Sequence, residues 1–432
     1  MSLIAYVMNY IAYFFPGPNC PATFMKILHT ADWHLGKRLQ DFQRLQEQQT
    51  VLEEIVDIAD REQADLIIVA GDLFDTFNPD PKAEDLLYST LKKLTVGGSR
   101  PVLAIAGNHD NPDRIEAQDH FGRECGIIFA GFPKTEVRSY ELSCEAKLLQ
   151  SAPGFIELKL PRHDAPVRII LTPYANESRM RSYFGQTSFG DELRQQLQQH
   201  WATLADTFMD DKGINLLAAH LFVMKRGGEQ PEESDDERSI LQVGGASVVY
   251  TDMIPPQVQY TALGHLHRYQ EIAGGPSPVI YSSSPLAYSF AEADQQKYVV
   301  LVEAEPGVPV TVTPIPLKTG KRLLRPRFKQ VAEAVDWLKE NPNCYAEITL
   351  QTPTYLTSEE RRELQQAHES LVTIIPDVRD VELPEQETTQ TIDLTQSMES
   401  LFADYFKSKN KGQEPNDRLQ LLFKEILATE SE

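Results

Sequence analysis

From Met25 onward the chain alternates short apolar runs with longer amphipathic stretches. Lys26–Ala31, Leu66–Ala70, Val102–Ala106, Val167–Thr172, Leu216–Ala219, Tyr260–Leu263, Val279–Ser282 and Tyr298–Val302 have the length and composition of strands. Leu39–Arg61, between the first two, carries apolar residues at helical spacing, and Lys82–Leu94 repeats this before the third. Strands alternating with helices predict an α/β sheet and exclude all-β and all-α domains.

The pattern changes near residue 303. Pro306 to Ala332 holds no Asp or Glu, while Lys318, Lys321, Arg322, Arg325, Arg327 and Lys329 arrive close together. Residues 305–330 therefore read as a basic linker after a first domain spanning 25–304. Beyond it, Ala332–Glu340 has helical spacing, Cys344–Leu350 alternates like a strand, and Ser358–Ser370 is helical again. These predict a small α/β domain over 331–383. A polar tether, 384–397, then leads to a tail, 398–432. There Leu401, Phe402, Tyr405 and Phe406, followed by Leu419, Leu422, Phe423 and Ile426, form two helical apolar stripes. Such stripes demand burial, either on this chain's own core or by docking onto a partner helix or coiled coil.

Residues 1–24 contain no charged side chain, but Pro16, Gly17, Pro18 and Pro21 break the apolar run. With no positive region ahead of it, the segment predicts neither a secretory signal nor a membrane span. It reads as an extension outside the fold, with Met25 as the natural start; peripheral membrane contact is the alternative.

The 432 residues carry 63 Asp and Glu against 41 Lys and Arg, a formal charge of −22. At roughly 100–200 residues per domain, that length predicts several domains. A hydrophobic content of 41% with 24% charged residues excludes both general disorder and a polytopic membrane protein. The acidic balance excludes a nucleic-acid binder that works through a uniformly basic surface, because neutralising phosphates takes Lys and Arg. Part of the acid lies in Glu229–Glu237, which reads as a solvated loop. The 4 cysteines form no C-x-x-C pair. Neither a disulfide framework nor a thiolate zinc site is predicted, and a reducing cytoplasm fits.

Chemistry gathers where the strands end. Asp32-Trp33-His34 follows the first run, Gly71-Asp72 the second, and Gly107-Asn108-His109-Asp110 the third; His220 and Gly264-His265-Leu266-His267 follow two later ones. Functional groups in α/β sheets collect at the carboxyl ends of strands, so these residues should converge on one crevice. Carboxylate, imidazole and amide oxygen without thiolate suit Mn, Fe or Zn. Two ions about 3.5–4 Å apart would form the clamp used for in-line displacement at phosphorus. His265 and His267 would face the same side in a regular strand, whereas at a strand end each can reach a different ion. Each motif alone is weak, but their order along the chain is specific.

In these motifs the chain resembles the calcineurin-like metallophosphoesterase superfamily and, within it, the SbcD family of bacterial nuclease subunits. The resemblance runs from Met25 to about Ala304. It is carried by Met25-Lys26-Ile27-Leu28-His29-Thr30-Ala31-Asp32-Trp33-His34-Leu35-Gly36, Ala70-Gly71-Asp72-Leu73-Phe74-Asp75, Ala106-Gly107-Asn108-His109-Asp110 and Gly264-His265-Leu266-His267. It implies an α/β metallophosphoesterase sandwich with a small C-terminal α/β capping domain and a helical tail. It also implies two divalent ions, with Mn2+ the working metal: one held by Asp32, His34, Asp72 and His267, the other by Asp72, Asn108, His220 and His265. In that pattern Asp72 bridges, His109 stabilises the transition state or protonates the leaving oxygen, and a bridging hydroxide is the nucleophile. No covalent phospho-enzyme is implied.

The same resemblance implies 3′→5′ exonuclease activity on duplex DNA and endonuclease activity on single strands and hairpins, serving DNA end processing, replication, repair and recombination. It implies a cytoplasmic complex with an SbcC-like coiled-coil ATPase, built as a homodimer within a heterotetramer and without membrane attachment. The sequence has no G-x-x-x-x-G-K-[ST] loop of its own, so ATP dependence would come from the partner. The basic segment is then either a DNA-backbone contact or a solvated connector.

Two positions depart from the pattern. Asp75 stands where some relatives outside the bacterial branch place an auxiliary His, and Ser283 replaces a Gly in Tyr281-Ser282-Ser283-Ser284-Pro285, which questions a positive φ there. His29 reads as structural, while His120, His163, His200 and His368 have no partner motif and default to solvent. The runner-up enzyme is a phosphatase or small-molecule phosphodiesterase on the same fold. Against it, protein phosphatases of this superfamily carry Arg before Gly-Asn-His, where this chain has Ala106. A DNA-tethering scaffold with a structural metal site is the third reading.

Overall fold

The computed structural model describes residues 24–138, 146–174, 190–232, 248–352 and 356–377, with Leu401, Phe402, Phe406, Pro415, Leu419, Gln420 and Phe423. It divides into one unit ending at Asp377 and a second beginning at Val378.

The first unit opens with β1 (Met25–Thr30), α1 (Leu45–Arg61), β2 (Leu66–Ala70), α2 (Pro81–Leu94), β3 (Val102–Ile105) and β4 (Ile127–Ala130). These four strands run parallel. A second sheet follows, from β5 (Lys147–Ala152), β6 (Phe155–Lys159), β7 (Val167–Thr172), α3 (Gly190–Phe208), β8 (Ile214–His220), β9 (Tyr260–Gly264), β10 (Gln270–Glu271) and β11 (Val279–Tyr281). The chain then returns to the first sheet with β12 (Tyr298–Ala304) and β13 (Thr311–Pro316). The resulting orders are β13-β12-β1-β2-β3-β4 and β10-β11-β9-β8-β7-β6-β5.

Both faces of the central strands are covered, which is why they read as continuous apolar runs. Ile27, Leu103 and Ile105 meet Ile169, Leu171 and Leu216 in a core between the two sheets. The alternate residues Leu28, Ile67 and Val69 pack under Val51, Ile55, Leu87 and Leu91 of α1 and α2. On the far side, Ile170, Leu217 and Leu263 pack under Leu197, Trp201 and Leu204 of α3. The carboxyl ends of the parallel strands of both sheets therefore open onto one edge of the sandwich.

The predicted strands lie where the apolar runs placed them, but α1 begins at Leu45 rather than Leu39. Arg38–Leu39 and Phe42–Gln43 pair as a small hairpin with Gln40 at φ 50°, a turn that interrupts helical spacing. The short β4, the β5–β6 hairpin and the Gln-rich α3 carry patterns too weak to predict them.

Segment 305–330, expected as a linker, is divided between two sheets. Thr311–Pro316 is the edge strand beside β12; its Pro314 and Pro316 suggest a loop in the sequence but are tolerated at a sheet edge. Next, β14 (Arg322–Leu324) and β15 (Arg327–Phe328) join β16 (Cys344–Gln351) and β17 (Leu371–Asp377), with α4 (Val331–Glu340) and α5 (Ser358–Ala367) alongside. The small sheet thus begins before residue 331, around a core of Ala334, Leu338, Ile348, Leu350 and Leu364. Residues 378–383, expected to close that domain, lie outside the described residues. So do positions 1–23, the polar tether, and Tyr405, Leu422 and Ile426 of the tail. In the second unit Phe402 stacks on Phe423 at 4.2 Å and lies 6.1 Å from Phe406, so part of the apolar stripe is satisfied within the tail itself.

Two carboxylates on one face of α1 fix the crossing between the large and small sheets. Glu54 accepts from the backbone N–H groups of Lys318 and Thr319, and Glu47 accepts from that of Lys321. Gly320 sits between them at φ 99°, and a Cβ there would lie 2.5 Å from Leu286 Cδ2. Gly320→Ala should therefore lower unfolding stability by about 1–3 kcal/mol. An unchanged urea midpoint would show that this crossing is not a fixed structural point.

Candidate metal centre

Loops leaving β1, β2, β3, β8 and β9 bring the seven proposed ligands together. The β1 and β2 loops are stitched by backbone bonds from Asp32 N to Gly71 O, 3.0 Å, and from His34 N to Asp72 O, 2.9 Å. Asp32, His34 and Asp72 adopt φ of 55°, 43° and 49°, and His265 106°, a left-handed backbone that L side chains rarely adopt. That turn at His265 breaks strand alternation. His265 Nδ1 consequently lies 2.9 Å from Asn108 Oδ1, whereas His267 Nε2 lies 2.9 Å from His34 Nε2.

Two groups of donors result, with Asp72 between them. Its Oδ2 is 3.4 Å from His34 Nε2 and 3.3 Å from His220 Nε2, while its Oδ1 accepts from the His109 backbone N–H at 2.8 Å. His220 Nε2 also lies 2.9 Å from Asn108 Oδ1. Donor atoms of Asp32, His34 and His267 lie within 4.8 Å of one another, as do those of Asp32, Asp72 and His220. Asp32, His34, Asp72 and His220 are almost wholly buried. Asp32 Oδ2 has no hydrogen-bond partner, a costly state for a buried polar atom that a cation would relieve. The mixed oxygen and imidazole set fits a divalent metal ion.

Electrostatics agree with this. Burial, assisted by the Asp72 charge, pushes the Asp32 carboxyl up to about 7 despite His220 and His267 nearby. At Asp72 burial acts in the same direction, but His220 and His34 outweigh it and hold the carboxyl well below its ordinary range. His220 is raised to about 9, because Asp72 and Asp32 overcome its burial, while burial lowers His34 to about 4. The two carboxylates thus favour a proton on His220, which competes with a cation for its Nε2.

Neighbouring groups orient the ligands. His220 Nδ1 donates to Ala70 O at 2.8 Å, which leaves Nε2 facing Asp72. Gly71, at φ 92°, allows this approach, since a Cβ there would fall 2.1 Å from His220 Nδ1. His109 Nδ1 donates to Asp75 O at 2.8 Å, and the His109 ring stands 4.7 Å from that of His34.

Among known proteins, the model of the calcineurin-like phosphoesterase family matches residues 25–269. The SbcD subunit of the SbcCD nuclease from Bacillus subtilis is 36% identical over 405 residues, 93% of this chain and 97% of that protein. The SbcD subunits from Staphylococcus epidermidis and Rhodobacter capsulatus are each 31% identical, covering 69% and 68% of this chain and 71% and 69% of their own lengths. The chain belongs to the calcineurin-like phosphoesterase family, in its SbcD branch.

Several supports of this phosphoesterase site are not legible in the sequence. Asp110, which closes the third motif, accepts the backbone N–H groups of Leu73, Phe74 and Gly107 and so ties the β2 and β3 loops together. Glu292 Oε1 lies 3.3 Å from His267 Nδ1, and Lys297 Nζ bonds both Glu292 and the His267 carbonyl. No local motif marks that pair. Asp75, at the position departing from some relatives, lies 3.6 Å from His34 Nδ1 and binds Lys37 Nζ at 2.9 Å. Ser283 does adopt a positive φ, 81°, despite not being Gly; its Oγ accepts from Tyr298 N at 2.9 Å, holding the strained residue in place.

The other histidines lie outside this cluster. His29 Nδ1 pairs with Tyr260 OH and burial lowers its pKa to about 3, His163 faces Asp65 at 2.9 Å, and His368 is buried; of the four expected in solvent, His120 is exposed and His200 half-buried. The basic candidates line the small sheet and its approach. Lys318, Arg322, Arg325, Arg327 and Lys329 are exposed, Arg325 pairs with Glu347, and Lys321 reaches Ser370.

Because Asp72 and Asp32 raise His220 to about 9, a divalent ion competes with a proton for this imidazole. Apparent Mn2+ affinity should rise as pH increases from about 7 to 9, with net proton release. Calorimetric titrations in buffers of different ionisation enthalpy measure that release; affinity independent of pH over this range would count against His220 as a ligand.

Proposed function

We propose that this hydrolase binds two Mn2+ ions, one on Asp32, His34, Asp72 and His267 and the other on Asp72, Asn108, His220 and His265, and cleaves phosphodiester bonds in DNA. The observation carrying this reading is the Asp72 carboxylate, placed between imidazoles of both groups. Bound there, the ions supply hydroxide near neutral pH and stabilise the attacking and leaving oxygens of an in-line displacement. The protein's part is to hold that geometry before substrate arrives. Asp110 fixes the loops bearing Asp72 and Asn108, the His220 bond to Ala70 O fixes its tautomer, and Glu292 does the same for His267.

His109 lies beside the proposed ligands, with a ring nitrogen within 4.8 Å of donor atoms of His34 and Asp72. Its backbone is anchored on Asp72 and its Nδ1 on Asp75 O, so Nε2 is available to donate to the leaving oxygen. DNA as substrate follows from the nuclease subunits to which the chain is similar over nearly its whole length. On this reading the duplex is trimmed 3′→5′, single strands and hairpins are cut internally, and the exposed basic residues Lys318, Arg322, Arg325, Arg327 and Lys329 contact the backbone. The tail, with Phe402 and Phe423, docks an SbcC-like coiled-coil ATPase that gates access.

With Mn2+ and linear DNA, His109→Ala should lower cleavage by roughly 10²–10⁴-fold while bound metal stays at the wild-type level. Parallel loss of metal, measured by inductively coupled plasma spectrometry, would overturn the role given to His109. Faster turnover of a phosphomonoester than of any DNA would favour a phosphatase instead.

A further inference from the structure

Arg44 is almost wholly buried, an uncommon setting for a residue with no part in the metal site. It precedes the first residue of α1 without capping it through its side chain, and its guanidinium is held bidentately by Glu47, at 2.8 and 3.0 Å. A further N–H donates to the carbonyl of Ala287. Two aromatic rings stand beside it: Tyr345 of β16 at 5.3 Å and Tyr288 at 5.9 Å, both within cation–π range.

These rings belong to different places. Tyr345 is part of the small C-terminal sheet and sits in a cluster with Leu39, Phe290 and Leu323. Tyr288 belongs to the large sandwich. Its hydroxyl donates to Trp33 O, between Asp32 and His34, and its ring meets His34 at 5.4 Å and His267 at 5.7 Å edge-on. Arg44 therefore touches the backbone and the ring of the segment that supports two metal-ligand histidines. It also touches the small sheet, whose Leu323 and Tyr345 pack with Phe290 of the same segment. Glu47, its ion-pair partner, also anchors the crossing at Lys321, whose Nζ lies 5.2 Å from the centroid of the same Tyr345 ring.

We propose that Arg44 is a positioning residue: it transmits the seating of the C-terminal sheet, through Tyr345, to Tyr288 and hence to His34 and His267. When Tyr345 is in place, the guanidinium is confined between two rings and two acceptor sets, and Tyr288 is held against both histidines. When the small sheet shifts, Arg44 loses one wall and the 285–290 segment loosens. The proposal rests on the ligand assignment above for its effect on turnover, but the physical link can be read without metal or substrate.

The test pairs Tyr345→Leu, which keeps apolar volume but removes the ring, with Arg44→Met and with the double variant. Tyr345→Phe, which keeps the ring, serves as rescue. In metal-free protein, hydrogen exchange of backbone amides in 285–290 should quicken in Tyr345→Leu and return towards wild type in Tyr345→Phe. With Mn2+ and bis(p-nitrophenyl) phosphate, Tyr345→Leu and Arg44→Met should each lower kcat roughly three- to tenfold with KM little changed, and the double variant should be no worse than the single ones. Unaltered exchange at 285–290 in Tyr345→Leu would overturn the link. Faster exchange with unchanged kcat, or effects that multiply in the double variant, would overturn the positioning role. Should Arg44→Met fail to fold, the Tyr345→Leu and Tyr345→Phe pair decides the matter alone. A wild-type protein without metal-dependent turnover would count against the ligand assignment, leaving the exchange result to judge the link.

Discussion

Two carboxylates, Asp32 and Asp72, are held in a crevice from which water is almost wholly excluded, and their burial is the constraint on which the rest of the structure depends. Like charges in a desolvated site repel and lose hydration, so each would become neutral unless compensating charge were close. At Asp72 compensation comes from His220, itself raised to about 9, whereas Asp32, pushed up to about 7, is left for a cation to balance. The sandwich has to bring the carboxyl ends of β1, β2 and β3 against those of β8 and β9, and its inter-sheet core supplies the burial that holds them there.

Bringing them that close is achieved with strained backbone. Asp32, His34, Asp72 and His265 all lie at positive φ, each costing on the order of 1–3 kcal/mol. That strain persists because backbone bonds between the β1 and β2 loops, and the Asp110 carboxylate below them, over-determine the conformation. Ligands fixed before a cation arrives lose little freedom on binding it, which favours defined coordination over adaptable contact. Gly71 shows the tolerance involved, since even a methyl group there would collide with His220.

Acidic overall charge and a DNA substrate are compatible once charge is considered locally. Under the proposed function two divalent ions would more than neutralise Asp32 and Asp72, while the positive side chains of the small sheet remain largely exposed. The segment bearing them is ordered as strands and tied to α1 through Glu47 and Glu54, so basic charge is displayed from a fixed surface. Arg44 and the two tyrosines link that surface to the metal crevice, beside the packing of Leu323 and Tyr345 on Phe290.

Much of this was legible in the sequence, because strands covered on both faces leave continuous apolar runs and because ligands follow those runs directly. Asp32, His34, Asp72, Asn108, His109, Asp110, His220, His265 and His267 could be picked out by residue type and by position after a strand, while the choice of seven of them as candidate ligands came from the family resemblance. What the sequence could not display were interactions between residues far apart along the chain. Glu292 behind His267, Tyr288 against His34, and Arg44 between two rings lie in no motif, because each is defined only by its neighbours in space. The strand Thr311–Pro316 was hidden for a related reason: its prolines forbid a central strand, and only its place at the sheet edge makes them acceptable. Local pattern thus determined the elements and the chemistry at their ends. Tertiary structure decided which ends meet, how each imidazole is oriented and what supports it, since those depend on packing and hydrogen bonds between distant segments.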